Sequence, residues 1–414
     1  MEDNKFVSIN INTWRQIELV KIQFHKKLTI LTGANGTGKT TILNILGNHF
    51  GWHTTYVGTP KREKTGLIKW FSDFWQHWKE IKYEDTGRNI IGKLEYSNSH
   101  TSTLSIPSND QTYNIAIEPR YTVRGLHIPS HRPIYTYSAV TQIPTQPILS
   151  EQAFVSYQNI VRGNYLGTYS TKPNHIIKET LLSLATYGYG NQIVEANLKA
   201  KELFERFQKV LEFVLPPKLG FKRIKIEMPE VLLVTKSGEF ALDSVSGGIA
   251  SILDMVWQIF MFEAENKKFV VTIDEPENHL HPEMQQTLLK GLLDAFPSVQ
   301  FIVATHNPFI ITSVPDSNVY VLDYNKNNKV ESRLLDFVNK SGTANEILRD
   351  VLGLPFTMPI WAEKELQRIV NKYSKLDLTE GSFDNLRQEL KKIGLEELMP
   401  KAISEVIGEK AGND

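Results

Sequence analysis

Lys39 and Thr40 close the octapeptide Gly33-Ala34-Asn35-Gly36-Thr37-Gly38-Lys39-Thr40, a spacing suited to holding a chain of phosphates. The glycines let backbone N–H groups turn inward onto phosphate oxygens, with Asn35 and Thr37 between them. Lys39 adds a point charge at the β/γ end, and the Thr40 hydroxyl can meet Mg²⁺. Apolar residues 28–32 precede the loop as a buried strand. Residues 41–46, beginning with Thr41, follow it as a helix whose positive end faces the same anion. A purely structural glycine turn would not need a lysine and a hydroxyl directly after its last glycine. The chain is therefore expected to bind a nucleoside triphosphate, ATP, together with Mg²⁺.

A second cluster lies far along the chain. Residues 269–273 form a short apolar run that ends in Asp274-Glu275-Pro276. A strand-end aspartate beside the phosphate loop can hold Mg²⁺ through water, and the next carboxylate can orient and deprotonate an attacking water. Another apolar run, residues 300–304, ends in Thr305-His306-Asn307-Pro308, which places His306 to meet the γ-phosphate from the same sheet edge. Asp-Glu-Pro alone could cap a turn, and His306 alone could be a satisfied core histidine. Their order and shared strand-end positions favour chemistry.

Between these clusters, Ser246-Gly247-Gly248 opens an apolar helix (Ile249, Leu253, Val256, Trp257, Phe260), an anion-binding helix N-terminus with an unobstructed backbone. Together with the phosphate loop, Asp274-Glu275 and His306, this resembles the ABC-type ATPase head, and within it the SMC-like, defence-associated AAA family ATPases. The resemblance spans most of residues 1–330. It implies an α/β P-loop head, a mixed sheet with flanking helices, in which the Ser-Gly-Gly element of one subunit closes over the γ-phosphate held by another. On that resemblance Lys39 and Thr40 are phosphate-loop residues and Ser246, Gly247 and Gly248 form the signature. Asp274 is the Mg²⁺ aspartate, Glu275 the water-activating glutamate and His306 the switch histidine. The signature lacks the leading leucine and trailing glutamine usual in the family. For the glutamine that senses Mg²⁺, Gln142 follows a plausible strand at 137–141, with Gln146 as its rival. Asn12-Thr13-Trp14-Arg15 stands where such heads place a segment beside the nucleotide, so Trp14 or Arg15 is a candidate to flank it, with a core role for Trp14 as the alternative.

Composition fits this expectation. A length of 414 residues suggests two or three domains, and 41% hydrophobic residues suffice for a full core. Forty-six basic residues balance forty-six acidic ones, so no global charge draws the chain to nucleic acid or anionic membrane. The absence of cysteine excludes disulfides, a cysteine nucleophile and cysteine–zinc sites, and is compatible with the cytoplasm. The start lacks secretory character, and the most apolar helix, 252–262, is too short to span a bilayer.

The elements that must position these groups divide into four stretches: residues 1–149 with the phosphate loop, a helical insertion over 150–227, residues 228–338 with the signature, Asp-Glu pair and histidine, and a helical module over 339–414. The first strand is expected to alternate, with Phe6, Ser8 and Asn10 on one face. Leu67, Trp70, Phe71, Phe74, Trp75, Trp78 and Ile81 recur at helical spacing, and residues 90–117 suggest hairpins. The insertion contains an amphipathic helix with Leu203, Phe204, Phe207, Val210, Leu211 and Val214 on one stripe, ended by Pro216-Pro217, and it is too short for the long coiled coil of SMC-like proteins. His279 and His281 invite a zinc reading, but the same run follows the catalytic glutamate in soluble relatives of the resembled family, so no metal beyond Mg²⁺ is expected. The C-terminal module shows three helical stripes and no nuclease motif, and His-Glu-x-x-His and Gly-x-Ser-x-Gly are absent throughout.

ATP hydrolysis is therefore the expected chemistry. The resemblance further implies self-association, driven by ATP, and control of a separate effector, nuclease or toxin, encoded nearby. Such pairs occur in two-component anti-phage systems, PARIS, Septu and retron-associated ATPases among them, with nucleic acid or a phage protein as trigger. The competing reading is a DNA-repair or recombination ATPase that clamps nucleic acid directly.

Overall fold

The computed structural model describes residues 4–73, 87–165, 172–336, 344–352, 360–375 and 380–411. It divides into two compact units, Met1–Ile347 and Leu348–Asp414.

The first unit is built on an eleven-stranded sheet. Its strands are β1 (Phe6–Trp14), β2 (Ile17–Gln23), β3 (Leu28–Gly33), β4 (Arg88–Tyr96), β5 (Thr101–Pro107) and β6 (Ala116–Glu118). They continue with β7 (Gly125–Ile128), β8 (Val270–Asp274), β9 (Gln300–Ala304), β10 (Asn318–Tyr324) and β11 (Val330–Leu334). In space the order is β6-β5-β4-β1-β2-β11-β10-β3-β9-β8-β7. From β10 to β7 every neighbour is parallel, whereas β1, β2, β4, β5 and β6 pair antiparallel. β3, β8 and β9 are buried at every position. Strands covered on both faces read as continuous apolar runs, which is why the sequence exposed them so clearly. Parallel strands also share one carboxyl edge, where ligands of open α/β sheets bind.

Two local expectations are corrected. In β1 the core receives Phe6, Ile9, Ile11 and Trp14, not a strict alternation, because the pairing with β4 shifts register between Phe6 and Ser8. An irregularity of this kind exchanges the faces of the residues beyond it. Leu67, Trp70 and Phe71 do not begin a helix: Ile68–Phe71 is a strand paired antiparallel with Thr59–Arg62. Only Phe71 on it is buried, so cross-strand pairing overrode an aromatic pattern that also fits a helix. Phe74, Trp75, Trp78 and Ile81 lie outside the described residues.

Helix α1 (Lys39–Gly47) follows β3 directly. Helices α2 (Ser150–Tyr165), α3 (Pro173–Tyr189) and α4 (Leu198–Val214) fall within residues 150–227, and α2 and α4 pack on α5 (Gly247–Glu263). The stripe on α4 is buried as expected, with Phe207 edge-on to Trp257 at 5.1 Å between ring centroids. Burial of each such side chain contributes about 1.5–3 kcal/mol. α5 is covered around its whole circumference, which explains its largely apolar sequence. Helices α6 (Pro282–Ala295) and α7 (Pro308–Ile311) follow β8 and β9.

In the second unit, α8 (Ile360–Tyr373), α9 (Glu380–Lys392) and α10 (Met399–Ala411) enclose Leu366, Ile369, Val370, Tyr373, Leu386, Leu390, Ala402 and Val406. Among the described residues no helix is long and apolar enough to cross a membrane.

Candidate functional site

The phosphate loop is shaped by sterics that only glycine satisfies. Gly33 has φ 130°, and a Cβ there would lie 2.0 Å from the Leu322 carbonyl oxygen on the neighbouring β10. Gly36 and Gly38 are also left-handed, at φ 84° and 96°. Gly38 is the cap of α1, so the free N–H groups of the first turn open toward the loop. Asn35 and Gly36 are exposed at its rim, and Thr37 is buried, its hydroxyl donating to the Ala34 carbonyl at 2.9 Å.

Lys39 is buried, and its ammonium donates to the carbonyls of Gly33 at 2.8 Å and Ala34 at 2.9 Å. Burial lowers its pKa, opposed by the nearby charges of Glu275, Asp274 and Glu277. An ammonium has three N–H donors, and the loop uses two of them.

β8 delivers Asp274 beside α1, where the Thr40 hydroxyl donates to Asp274 Oδ2 at 2.8 Å. Burial raises the pKa of Asp274, with the Thr40 hydrogen bond opposing it. A hydroxyl and a buried carboxylate facing one another are hard oxygen donors, the kind that Mg²⁺ takes. The residues present therefore fit the cation, which would supply charge neutralisation of the phosphates.

Glu275 has φ 45°, and its backbone N–H is held by the Ala304 carbonyl at 2.8 Å. Its Oε1 lies 3.2 Å from His306 Nδ1, and its Oε2 accepts from Asn278 Nδ2 at 3.1 Å. Both oxygens are thus oriented by partners from different loops. Glu277 is buried behind them and accepts the Thr305 hydroxyl at 2.5 Å, and burial raises its pKa.

Ser246 caps α5, its hydroxyl accepting from the Ile249 N–H at 3.5 Å, and both Ser246 and Gly247 are exposed. A Cβ on Gly248 would sit 3.0 Å from the His279 carbonyl oxygen, so the signature packs on the loop that follows Glu275. The Ser251 hydroxyl donates to the Asn278 carbonyl at 3.3 Å, reinforcing that contact. His281 caps α6, with Nδ1 accepting from the Glu283 N–H at 3.4 Å.

Three groups at this edge went unread in the sequence. Arg132 is buried and donates to the carbonyls of Glu275 at 3.0 Å and Asp274 at 3.2 Å, which holds the end of β8 in place. Asn278 binds both Glu275 and the Ser130 carbonyl, the latter at 3.1 Å. Gln16 donates to the Gly36 carbonyl at 3.0 Å. The only signal for Arg132 was the short run of β7 before it, and the polar His127 interrupts that run. His127 sits 2.9 Å from the Thr272 hydroxyl of the adjacent strand, and burial depresses its pKa to about 4.

Two candidates have surroundings other than those expected. Gln142 and Gln146 are exposed, and no strand precedes Gln142: residues 129–147 run without regular structure. The strand that reaches the site is β7, which pairs with β8 and ends at Ile128, just before Pro129-Ser130. Ser130 lines a cavity of about 310 Å³ together with Thr40 and Asp274. Trp14 is a core residue at 1% exposure. Arg15 lies within 5.4–5.7 Å of the Trp14, Tyr56 and Tyr113 rings and donates to the Val57 carbonyl at 2.6 Å, so its own chain holds it.

Behind Arg132, Asp254 on α5 accepts from the Tyr157 hydroxyl of α2 and, at 3.0 Å, from Gln258 Nε2. Burial raises its pKa from 3.8 to about 6, against the opposing pull of Tyr157 and Arg132. The folded chain thus favours the neutral acid, a stabilisation fully present below about pH 4 and lost as pH rises toward 6. Relative to wild type, Asp254→Asn should therefore gain on the order of 1–3 kcal/mol between pH 4 and 7. Thermal midpoints of both proteins across that range test this, and a difference that does not change with pH would refute it.

The fold and this edge define a P-loop ATPase. A family model described as an AAA domain matches residues 8–210, and one described as an AAA ATPase domain matches residues 150–311. The chain binds nucleotide and hydrolyses ATP. It is 22% identical to the Septu protein PtuA of Bacillus thuringiensis over 411 residues, covering 91% of this chain and 94% of that one. It is 24% identical to the PtuA of Bacillus mycoides, covering 93% of this chain and 49% of that one. Against the probable ATPase of retron Vc95 from Vibrio cholerae the identity is 25%, covering 44% and 37%. The chain thus spans about half or less of the latter two relatives. A solved SMC head domain from Thermotoga maritima aligns with a TM-score of 0.42 at 12% identity, over 80% of this chain and 99% of that one.

Proposed function

We propose that this chain is the ATP-driven switch of an anti-phage defence system, in which two copies pair face to face over ATP and govern a separate effector protein. The observation that carries the pairing is the placement of its parts. Lys39, Thr40, Asp274 and Glu275 gather at one sheet edge, while Ser246 and Gly247 stand exposed at a helix N-terminus braced by the loop that follows Glu275. The similarity to Septu and retron ATPases supports the defence setting.

In this reading Lys39 and the loop N–H groups hold the phosphates, and Thr40 and Asp274 would hold Mg²⁺, which would offset the charge of the phosphate oxygens. Glu275, oriented by Asn278 and His306, accepts the proton of the attacking water. Arg132 keeps the Asp274–Glu275 backbone at its station. Ser246, Gly247 and Gly248 of the second copy complete the enclosure of the γ-phosphate.

Ser246→Arg should leave binding of fluorescent ATP within about twofold of wild type while hydrolysis falls at least about a hundredfold, because only the closing surface is obstructed. If binding falls as far as in a phosphate-loop variant, the assignment of the signature to the partner's site is wrong. The effector is sought by co-expressing the adjacent gene and purifying through a tag on this chain. Nucleic-acid cleavage by the chain alone, or salt-sensitive duplex binding with no protein partner, would favour the repair or recombination reading instead.

A further inference from the structure

Lys178, on α3, is fully buried, at 0% side-chain exposure. Its ammonium donates to Asp243 Oδ2 at 2.8 Å and to the Ser138 carbonyl at 3.0 Å, and meets Glu230 Oε2 at 2.6 Å. Asp243 is 3% exposed and lies in the turn Leu242–Ser244, directly before the signature. Its carboxylate has two more donors: Asn174 Nδ2 of α3 at 2.6 Å and the Ser138 N–H at 3.2 Å. Two side chains of one helix, a turn apart, thus hold a single carboxylate that sits three residues ahead of Ser246.

Burying a lysine is costly, and an apolar side chain would fill the same space without desolvating a charge. What an ion pair adds is direction. It holds a carboxylate at hydrogen-bond distance from the ammonium, a directional constraint that apolar packing does not impose. Such fixing matters at the signature, because Ser246 and Gly247 are exposed while Gly248 and Ser251 rest against the 278–280 loop.

We propose that Lys178 and Asp243 are positioning residues for ATP hydrolysis: they set the station of the Ser246 helix N-terminus and thereby tie α3 to closure of the paired heads. This rests on the reading of Ser246 as the element that closes over the other copy's nucleotide. Both side chains are buried and neither lines the cavity at Thr40 and Asp274, so the pair acts on turnover and pairing and leaves the affinity of the single head alone.

Asp243→Asn and Glu230→Gln each remove one charged partner of the same lysine, and only Asp243 leads into the signature. A merely structural role predicts similar effects from both. Positioning predicts that Asp243→Asn lowers kcat by roughly ten- to a hundredfold, as small misplacements of reacting groups do, with the Kd for fluorescent ATP within about twofold of wild type. Glu230→Gln should change kcat less than about twofold. Lys178→Met, combined with Asp243→Asn, should cost no more kcat than the worse single variant, because both remove one linkage. If Lys178→Met does not fold, the Asp243 and Glu230 pair decides alone. Equal kcat losses from those two, or wild-type kcat in Asp243→Asn, would overturn the proposal. The reading beneath it is checked separately by ATP-dependent pairing of Glu275→Gln. Failure there removes the basis, whereas pairing there with a fully active Asp243→Asn removes only the linkage.

Discussion

Lys39→Ala should abolish measurable ATP hydrolysis and weaken Mg·ATP binding at least about thirtyfold. Removing one member of a buried, charge-assisted contact costs about 2–5 kcal/mol, and the ammonium is the only side-chain cation held inside the loop by its own carbonyls among the described residues. The fold should survive. The Gly33 and Ala34 carbonyls lose a donor, but Ala34 is exposed at the mouth of the loop and water can replace the ammonium there. Titration calorimetry with Mg·ATP, alongside a thermal melt, separates the two effects. Retained affinity with lost hydrolysis would mean that the backbone N–H groups alone hold the nucleotide, and that Lys39 serves the reaction rather than binding.

Glu275→Gln is the second large effect. A general base contributes about a hundred- to ten-thousandfold, so turnover should fall by that much while ATP still binds. The amide keeps the size of the carboxylate, can still accept from Asn278, and faces the same φ of 45°, so the loop should hold its shape. With hydrolysis blocked, the ATP state persists and the paired heads accumulate. Light scattering with ATP and Mg²⁺ should show the mass doubling, and omission of either should reverse it. A mass unchanged by nucleotide, or an oligomer already present without it, would count against assembly driven by ATP.

The candidate site was readable wherever its residues are contiguous. The phosphate loop, the Asp274-Glu275 strand end and the His306 strand end each sit in one short run, and the tight sterics that make Gly33 obligatory are written in the glycine itself. Gln142 and Arg15 were harder to read. Their assignments required knowing which strand lies next to β8 and which loop lies over Gly36, and neither fact is local. β7 is four residues long and carries a histidine, so periodicity could not distinguish it from a loop, and Ser130 and Arg132 after it went unread.

By itself, then, the amino-acid sequence determined the pieces with the plainest apolar patterns: the continuous runs of the central parallel strands and of α5, and the stripes of α4 and the three C-terminal helices. Apolar side chains recurring every two or every 3.6 residues have few alternatives to the strand or helix they line. Only the tertiary structure decided the partners. Arg132 meets carbonyls 142 and 143 positions away, and Lys178 meets a carboxylate 65 positions away. Ile68–Phe71 became a strand because Thr59–Arg62 was there to pair with it. A hydrogen bond or ion pair depends on two groups meeting at about 3 Å, and no local pattern encodes where the second group will be.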